Sequence, residues 1–382
     1  MKHLAGKLAV VGAAAALVLG ASAGSAMASF TLKGAGSSLL QPLIDNVWIP
    51  DFQAANSGDT VSYNPVGSGM GISFITANSV NFGASDAPMT AAQLSACGAT
   101  CKQIPWALSA TGPIYNLPGV SNLNLSGPVL AQIYLGTITM WNDPAIVALN
   151  KGVTLPASPI VVYWRNDGSG DTFVFESFLA DTYPAYASFL GAAGPTTTSN
   201  FKVGTGEHSN SGVAGSVNTT PDSIGYASTF YVRDAGLPNV RGAAVENASG
   251  KFVRPYPEDM ADAADLIPAS ALTSADYNTE PVIANFVASH GYKPKKLKKG
   301  QKPPKVSKKQ QAIINEELAA YPLSTFTDVL VRSDGPDVPD LQTFIKFCLS
   351  APEQTEAKLG AQSFAPLPKD VVAFDLAQVN AL

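Results

Sequence analysis

"WRNDGSGDTFVF", residues 164–175, decides how the chain is read. An arginine, an aspartate two residues on, a Gly-Ser-Gly turn, a second aspartate and an aromatic-rich run are compatible with a nucleotide loop, a calcium loop, a catalytic elbow or an anion cradle. A phosphate-binding Walker loop needs G-x-x-x-x-G-K-[ST], and no glycine turn in the chain ends in Gly-Lys-Ser or Gly-Lys-Thr. Asp167, Ser169 and Asp171 mimic the first ligands of a calcium loop, but Thr172 stands where the turn glycine belongs and Phe178 where the bidentate glutamate belongs. Beyond the N-terminal apolar segment there is no G-x-S-x-G elbow, and a serine hydrolase would have to recruit His208 or His290 through folding alone. An anion cradle remains. The turn reads as a helix N-terminus, whose unpaired N–H groups and positive dipole end favour negative charge. Ser169 adds a hydroxyl, Arg165 a forked, permanently charged clamp, and Asp167 a carboxylate to hold that fork.

The same chemistry recurs outward along the chain. "GAGSSL" at 34–39, "VGSGMG" at 66–71 and "GTGEHSNSG" at 204–212 are further glycine-rich turns where a β-like run hands over to a helix-period segment. The β-like runs "VSYNPVG", "VNFGASD", "PIYNLPG" and "IVVYWR" alternate with helical stretches such as Leu39, Leu43, Val47, Trp48 and Phe52, which predicts an α/β protein. Asp86, in "NFGASDAPM", is out of place beside an anion unless the ligand brings its own hydrogen. An acceptor-only carboxylate then rewards a protonated oxoanion and rejects one without a proton.

The chain ends and composition set the compartment. Lys2 and Lys7, the apolar run Leu8–Leu19 and Ala26-Met27-Ala28 form a Sec-type export signal, with cleavage expected after Ala28. The remainder is long enough for two medium lobes. A net charge of −5 offers no bulk attraction to nucleic acid. Cys97 and Cys101, in "CGATC", predict a small disulfide loop in an oxidising compartment, with zinc as the weaker rival, and Cys348 predicts a buried core thiol. Residues 292–309, "YKPKKLKKGQKPPKVSKK", hold nine lysines and three prolines and read as a solvated insertion.

Several segments, taken in order, resemble the periplasmic phosphate-binding protein of the ABC-type phosphate importer: "GAGSSLLQPL", "VGSGMGI", "VNFGASDAPM", "IYLGTITMWNDPAIVALN", "VVYWRNDGSGDTFVFESFL" and "SIGYAS". The likeness runs from about residue 31 to 232 and resumes near 320, with "FAPLPKDVV" at 364–372. It implies a two-lobed binding protein of type II, with hinge strands and a ligand cleft, and no enzyme activity. The lobes expected are 29–108 with 322–382, and 109–321. The implied phosphate-binding residues are Ser38, the backbone N–H of Leu39, Ser68, Asp86, Arg165, Ser169, Gly170 and Asp171, with Asp167 and Thr172 in support. No cofactor or metal is expected. Inorganic phosphate and a membrane permease are the implied partners of a monomeric, periplasmic protein. A phosphomonoesterase or a scaffold on the same fold remain alternatives. Asp171 departs from the family, which usually has threonine there. Either it caps its own helix with the carboxylate turned aside, leaving its N–H and Thr172 to serve the ligand, or it accepts a second ligand proton.

Overall fold

The computed structural model describes residues 29–199, 201–267, 291 and 306–382. The expected export segment, His290 and the lysine-rich stretch up to residue 305 lie outside the described residues. The chain begins with β1 (Thr31–Gly36), helix α1 over 41–55, β2 (Thr60–Asn64), α2 (Ser68–Thr76), β3 (Phe82–Ser85), α3 (Ala91–Cys97) and the 16-residue strand β4 (Cys101–Asn116). Next come β5 (Asn124–Leu125), α4 (Gly127–Tyr134), α5 (Pro144–Leu149), β6 (Val161–Arg165), α6 (Gly170–Thr182) and α7 (Pro184–Leu190). They lead to β7 (Thr205–Glu207), α8 (Ser209–Thr219), β8 (Ser223–Ser228), α9 (Phe230–Arg233), β9 (Arg241–Gly242), β10 (Ala244–Glu246), β11 (Phe252–Val253) and α10 (Pro257–Asp265). The last segment holds α11 (Lys308–Ala319), β12 (Ser324–Arg332), α12 (Val338–Cys348), α13 (Glu356–Gly360) and α14 (Lys369–Asn380). All four glycine-rich turns therefore join a strand to a helix, as the sequence predicts.

The main sheet runs β2-β1-β3-β12-β4-β8-β6-β7, with β9 also on β4. The smaller sheet is β11-β10-β5. Strand β4 belongs to both halves of the large sheet. Cys101–Ala110 pair antiparallel with β12, and Thr111–Asn116 pair with β8. Pro105 is tolerated in this central strand because the β4–β12 register shifts between Thr327 and Asp328, beside its own pairing position. Leu323, just ahead of β12, accepts from the Thr111 N–H at 3.1 Å, so both crossing segments meet at the handover.

Each half has an aromatic centre. Trp48 stacks at a tilt on Trp106 with centroids 5.1 Å apart, and Phe52, Phe82 and Phe344 close around them. In the other half, Tyr134, Phe175, Phe201 and Tyr226 pack together, with Phe175 stacked on Tyr226 at 4.6 Å. Burying each such ring contributes on the order of 1.5–3 kcal/mol. Cys97 and Cys101 are disulfide-bonded between α3 and β4, and Cys348 is a buried free thiol on α12. No helix among the described residues is long and apolar enough to cross a membrane.

Candidate functional site

The site lies where the turns after β1, β3 and β6 meet. At the end of β1, Gly36 has φ +146 and a Cβ there would collide with the Ala84 carbonyl, so only glycine lets β1 approach β3 this closely. The next residue, Ser37, donates its hydroxyl to both oxygens of Asp86 at 2.7 and 2.6 Å. Its Oγ in turn accepts from the Leu39 N–H at 3.1 Å and the Leu40 N–H at 3.3 Å. The Leu39 amide, expected to serve the ligand, thus points at Ser37 within its own turn. Ser68, the first residue of α2, donates to Asp86 Oδ2 at 3.1 Å and accepts from the Asp86 N–H at the same distance. Thr327 on β12 completes the set, donating to Asp86 Oδ1 at 2.6 Å.

The opposite wall comes from β6 and α6. Arg165 ends β6 with 1% of its surface exposed. It binds Asp167 in a fork, Nε to Oδ1 at 2.7 Å and Nη2 to Oδ2 at 2.5 Å, and it places Nη1 2.9 Å from Asp171 Oδ2. Asp167 also accepts from the Ser209 N–H at the start of α8. Ser169 is the N-cap of α6, accepting from the Thr172 N–H at 3.3 Å. The capping role considered for Asp171 therefore belongs to Ser169, whose φ −115 and ψ 127 are the extended values a cap requires. Two residues later, Asp171 sends its carboxylate inward, where Oδ1 accepts from Thr111 at 2.5 Å and Oδ2 from Asn210 Nδ2 at 2.7 Å. Thr172 turns away from the cleft, its hydroxyl 2.6 Å from that of Tyr226.

The two walls touch. The Gly69 N–H donates to the Gly168 carbonyl at 2.9 Å. A Cβ on Gly170 would lie 2.6 Å from Asp86 and from the Ser68 hydroxyl, so no side chain fits there. Asn210 on α8 bridges the walls, reaching Ser38 Oγ at 3.1 Å as well as Asp171, while its own oxygen accepts from the Ser228 N–H at 2.7 Å.

Burial, reinforced by the charge of Asp171, pushes the Asp86 carboxyl up to about 7 against the opposing pull of Ser37, Thr327 and Ser68. Burial alone would also raise Asp167, but its hydrogen bond and ion pair with Arg165 outweigh it and carry the group below the ordinary carboxylate range. The same partners overcome burial at Arg165 and hold it cationic. Among the described residues no group of three or more histidine, cysteine or acidic side chains is arranged to hold a metal, and His208 serves as the N-cap residue of α8.

Ser38, Ser68, Asp86, Arg165, Asp167, Ser169, Gly170 and Asp171 come together at this junction, whereas Leu39 lies in the same turn with its amide on Ser37 and its side chain in the core. Ser37, Thr111, Asn210 and Thr327 join them, and sequence reasoning missed all four. Asn210 carried a usable signal, because it lies in the fourth glycine-rich turn. The other three are single polar letters in strands or beside a serine already chosen.

The family described as "PBP superfamily domain" matches residues 21–352. A phosphate-binding protein PstS of Xylella fastidiosa is 31% identical over 346 residues, covering 90% of this chain and 83% of that protein. One from Pasteurella multocida is 36% identical over 271 residues, covering 68% and 76% respectively. Among solved structures, the high affinity periplasmic phosphate-binding protein PfluDING, bound with phosphate at pH 8.5, aligns with a TM-score of 0.64 at 21% identity, over 92% of this chain and 93% of that one. A phosphate binding protein from Stenotrophomonas maltophilia aligns at 0.60 with 16% identity, over 91% and 93%. At these identities the structural likeness establishes the fold.

Proposed function

Because this chain belongs to the PstS family of phosphate-binding proteins within the PBP superfamily, we propose that it captures inorganic phosphate with high affinity between its two lobes and delivers it to the permease of an ABC importer. It acts by binding and not by catalysis. The lobes in this reading are 29–108 with 322–382, and 109–321, and the protein works as an exported periplasmic monomer.

One observation carries the proposal: hydroxyls, helix-start amides and one guanidinium from separate turns come together in a buried cluster that also holds an acceptor, Asp86. Ser38, Ser68, Ser169, and the first-turn amides of α6 at Gly170 and Asp171, supply donors for oxyanion oxygens, and Arg165 supplies the charge. Asp86 takes the ligand's hydrogen, which excludes an unprotonated dianion such as sulfate.

A thermal-shift titration tests this directly. Phosphate at 1,000 times Kd should add about 4 kcal/mol to stability and raise Tm by several degrees, with arsenate close behind and sulfate without effect. No response to phosphate at any concentration up to 10 mM, a ceiling of order 10⁴ over a micromolar Kd, would overturn the reading.

A further inference from the structure

Asp171 lies in the same cluster as the proposed ligand-binding residues, bonded to Arg165 and Asn210, and is buried to 1% exposure, so its charge cannot be left to solvent. Three donors from three elements fix it there: Thr111 on β4, Arg165 on β6 and Asn210 on α8. The Arg165 cation is consequently divided between two carboxylates, Asp167 and Asp171. Asp86 stands on the other wall, close enough that the charge of Asp171 raises it. Tyr231 on α9 also senses Asp171, with Tyr226 of β8 lying beyond Thr172.

With one cation among three carboxylates, this cluster has no positive surplus to offer a dianion. Like charges about 4 Å apart at an effective dielectric near 20 weaken binding by roughly a thousandfold. A hydroxyl on the ligand turns each such repulsion into a charge-assisted O–H···O⁻ bond. Two carboxylates on opposite walls call for two hydroxyls. We infer that Asp171 makes this site selective for a singly charged tetrahedral oxyanion carrying two hydroxyl groups, the dihydrogen form of phosphate or arsenate, with Asp86 receiving one hydrogen and Asp171 the other. This rests on the phosphate reading above and adds a specificity-determining residue to it. Above the ligand's second ionisation the complex must take up a proton on forming, whichever oxygen of the shared hydrogen bond holds it.

Isothermal titration calorimetry of the processed chain with inorganic phosphate, from pH 5.5 to 8.5 and in buffers of different ionisation enthalpy, measures both affinity and proton uptake. The native protein should lose affinity about tenfold per pH unit above the ligand's second ionisation and bind with close to one proton taken up. Asp171→Thr and Asp171→Asn should both flatten the profile, abolish most of the uptake and bind more tightly than the native protein at pH 8.5. Methylphosphonate, whose monoanion has a single hydroxyl, should bind the variants better than the native protein. Equal slopes and equal proton uptake in the native protein and both variants would sink the inference and leave phosphate binding intact. No heat from any of the three at any pH would instead remove the phosphate reading itself.

Discussion

Arg165 is the residue on which the second wall of the cradle depends, because two buried carboxylates share its charge. Replacing it with methionine leaves Asp167 and Asp171 without their cation, and removing one member of a buried ion pair costs about 3–5 kcal/mol. Arg165→Met should show that loss in urea unfolding at pH 7 and should abolish phosphate binding. The loss should shrink in acid. A depressed carboxyl such as Asp167 contributes stability above its ordinary range, and that contribution disappears as pH falls through its lower folded value. At this scale the legible residues were those in glycine-framed motifs, where a serine, arginine or aspartate has a local reason to be present. Thr111 and Thr327 were illegible because a threonine in a strand looks the same whether its hydroxyl meets solvent or a carboxylate. Asp171 was half legible. Its departure from the family was visible, but the choice between capping and facing the cleft depended on Asn210 and Thr111, which are distant in sequence.

Helix α6 brings two constraints to the site, one at its start and one along its length. At the start, Gly170→Ala would drive a Cβ to 2.6 Å from Asp86 and Ser68 on the opposite wall. The expected outcome is weakened phosphate affinity, by tenfold or more, together with a lower melting temperature, because the clash falls where the two walls already meet; calorimetry reads the first and a thermal melt the second. Farther along, Glu176 is buried with Ser199 and the Thr196 N–H as partners, and burial pushes it up to about 7. Its folded form holds a proton that the unfolded chain has released, so stability falls as pH rises from about 4.5 to about 7, by up to about 1.4 kcal/mol per unit, and then levels. Glu176→Gln should remove that part of the slope in melts between pH 5 and 8, leaving the part due to Asp86. Strand and helix alternation was readable because periodicity and glycine punctuation are local signals. The double membership of β4 was not, since a strand that changes partners at Ala110 and Thr111 has no sequence mark at the point of exchange.

Across the whole molecule the formal charge sums to −5, and in the proposed reading phosphate is held by buried groups and not by surface charge. Screening acts chiefly on exposed charges beyond a Debye length of about 10 Å at 0.1 M salt. Phosphate affinity measured from 50 mM to 500 mM NaCl should therefore change by less than about fivefold, whereas a lysine-lined surface site would lose far more. The two-part architecture was legible from chain length and the order of the motifs, while the tightness of the contact between the parts was not. That contact has a kinetic meaning. Gly69 and Gly168 meet amide to carbonyl, with no side chain between them. Fixing a long side chain in one rotamer costs up to about 2 kcal/mol, and a glycine has none to fix. If the walls part in the proposed reading, this lip gives up one amide–carbonyl bond and the Asn210–Ser38 bond, and the dwell time of a captive ion is set mainly by its own bonds to the surrounding donors.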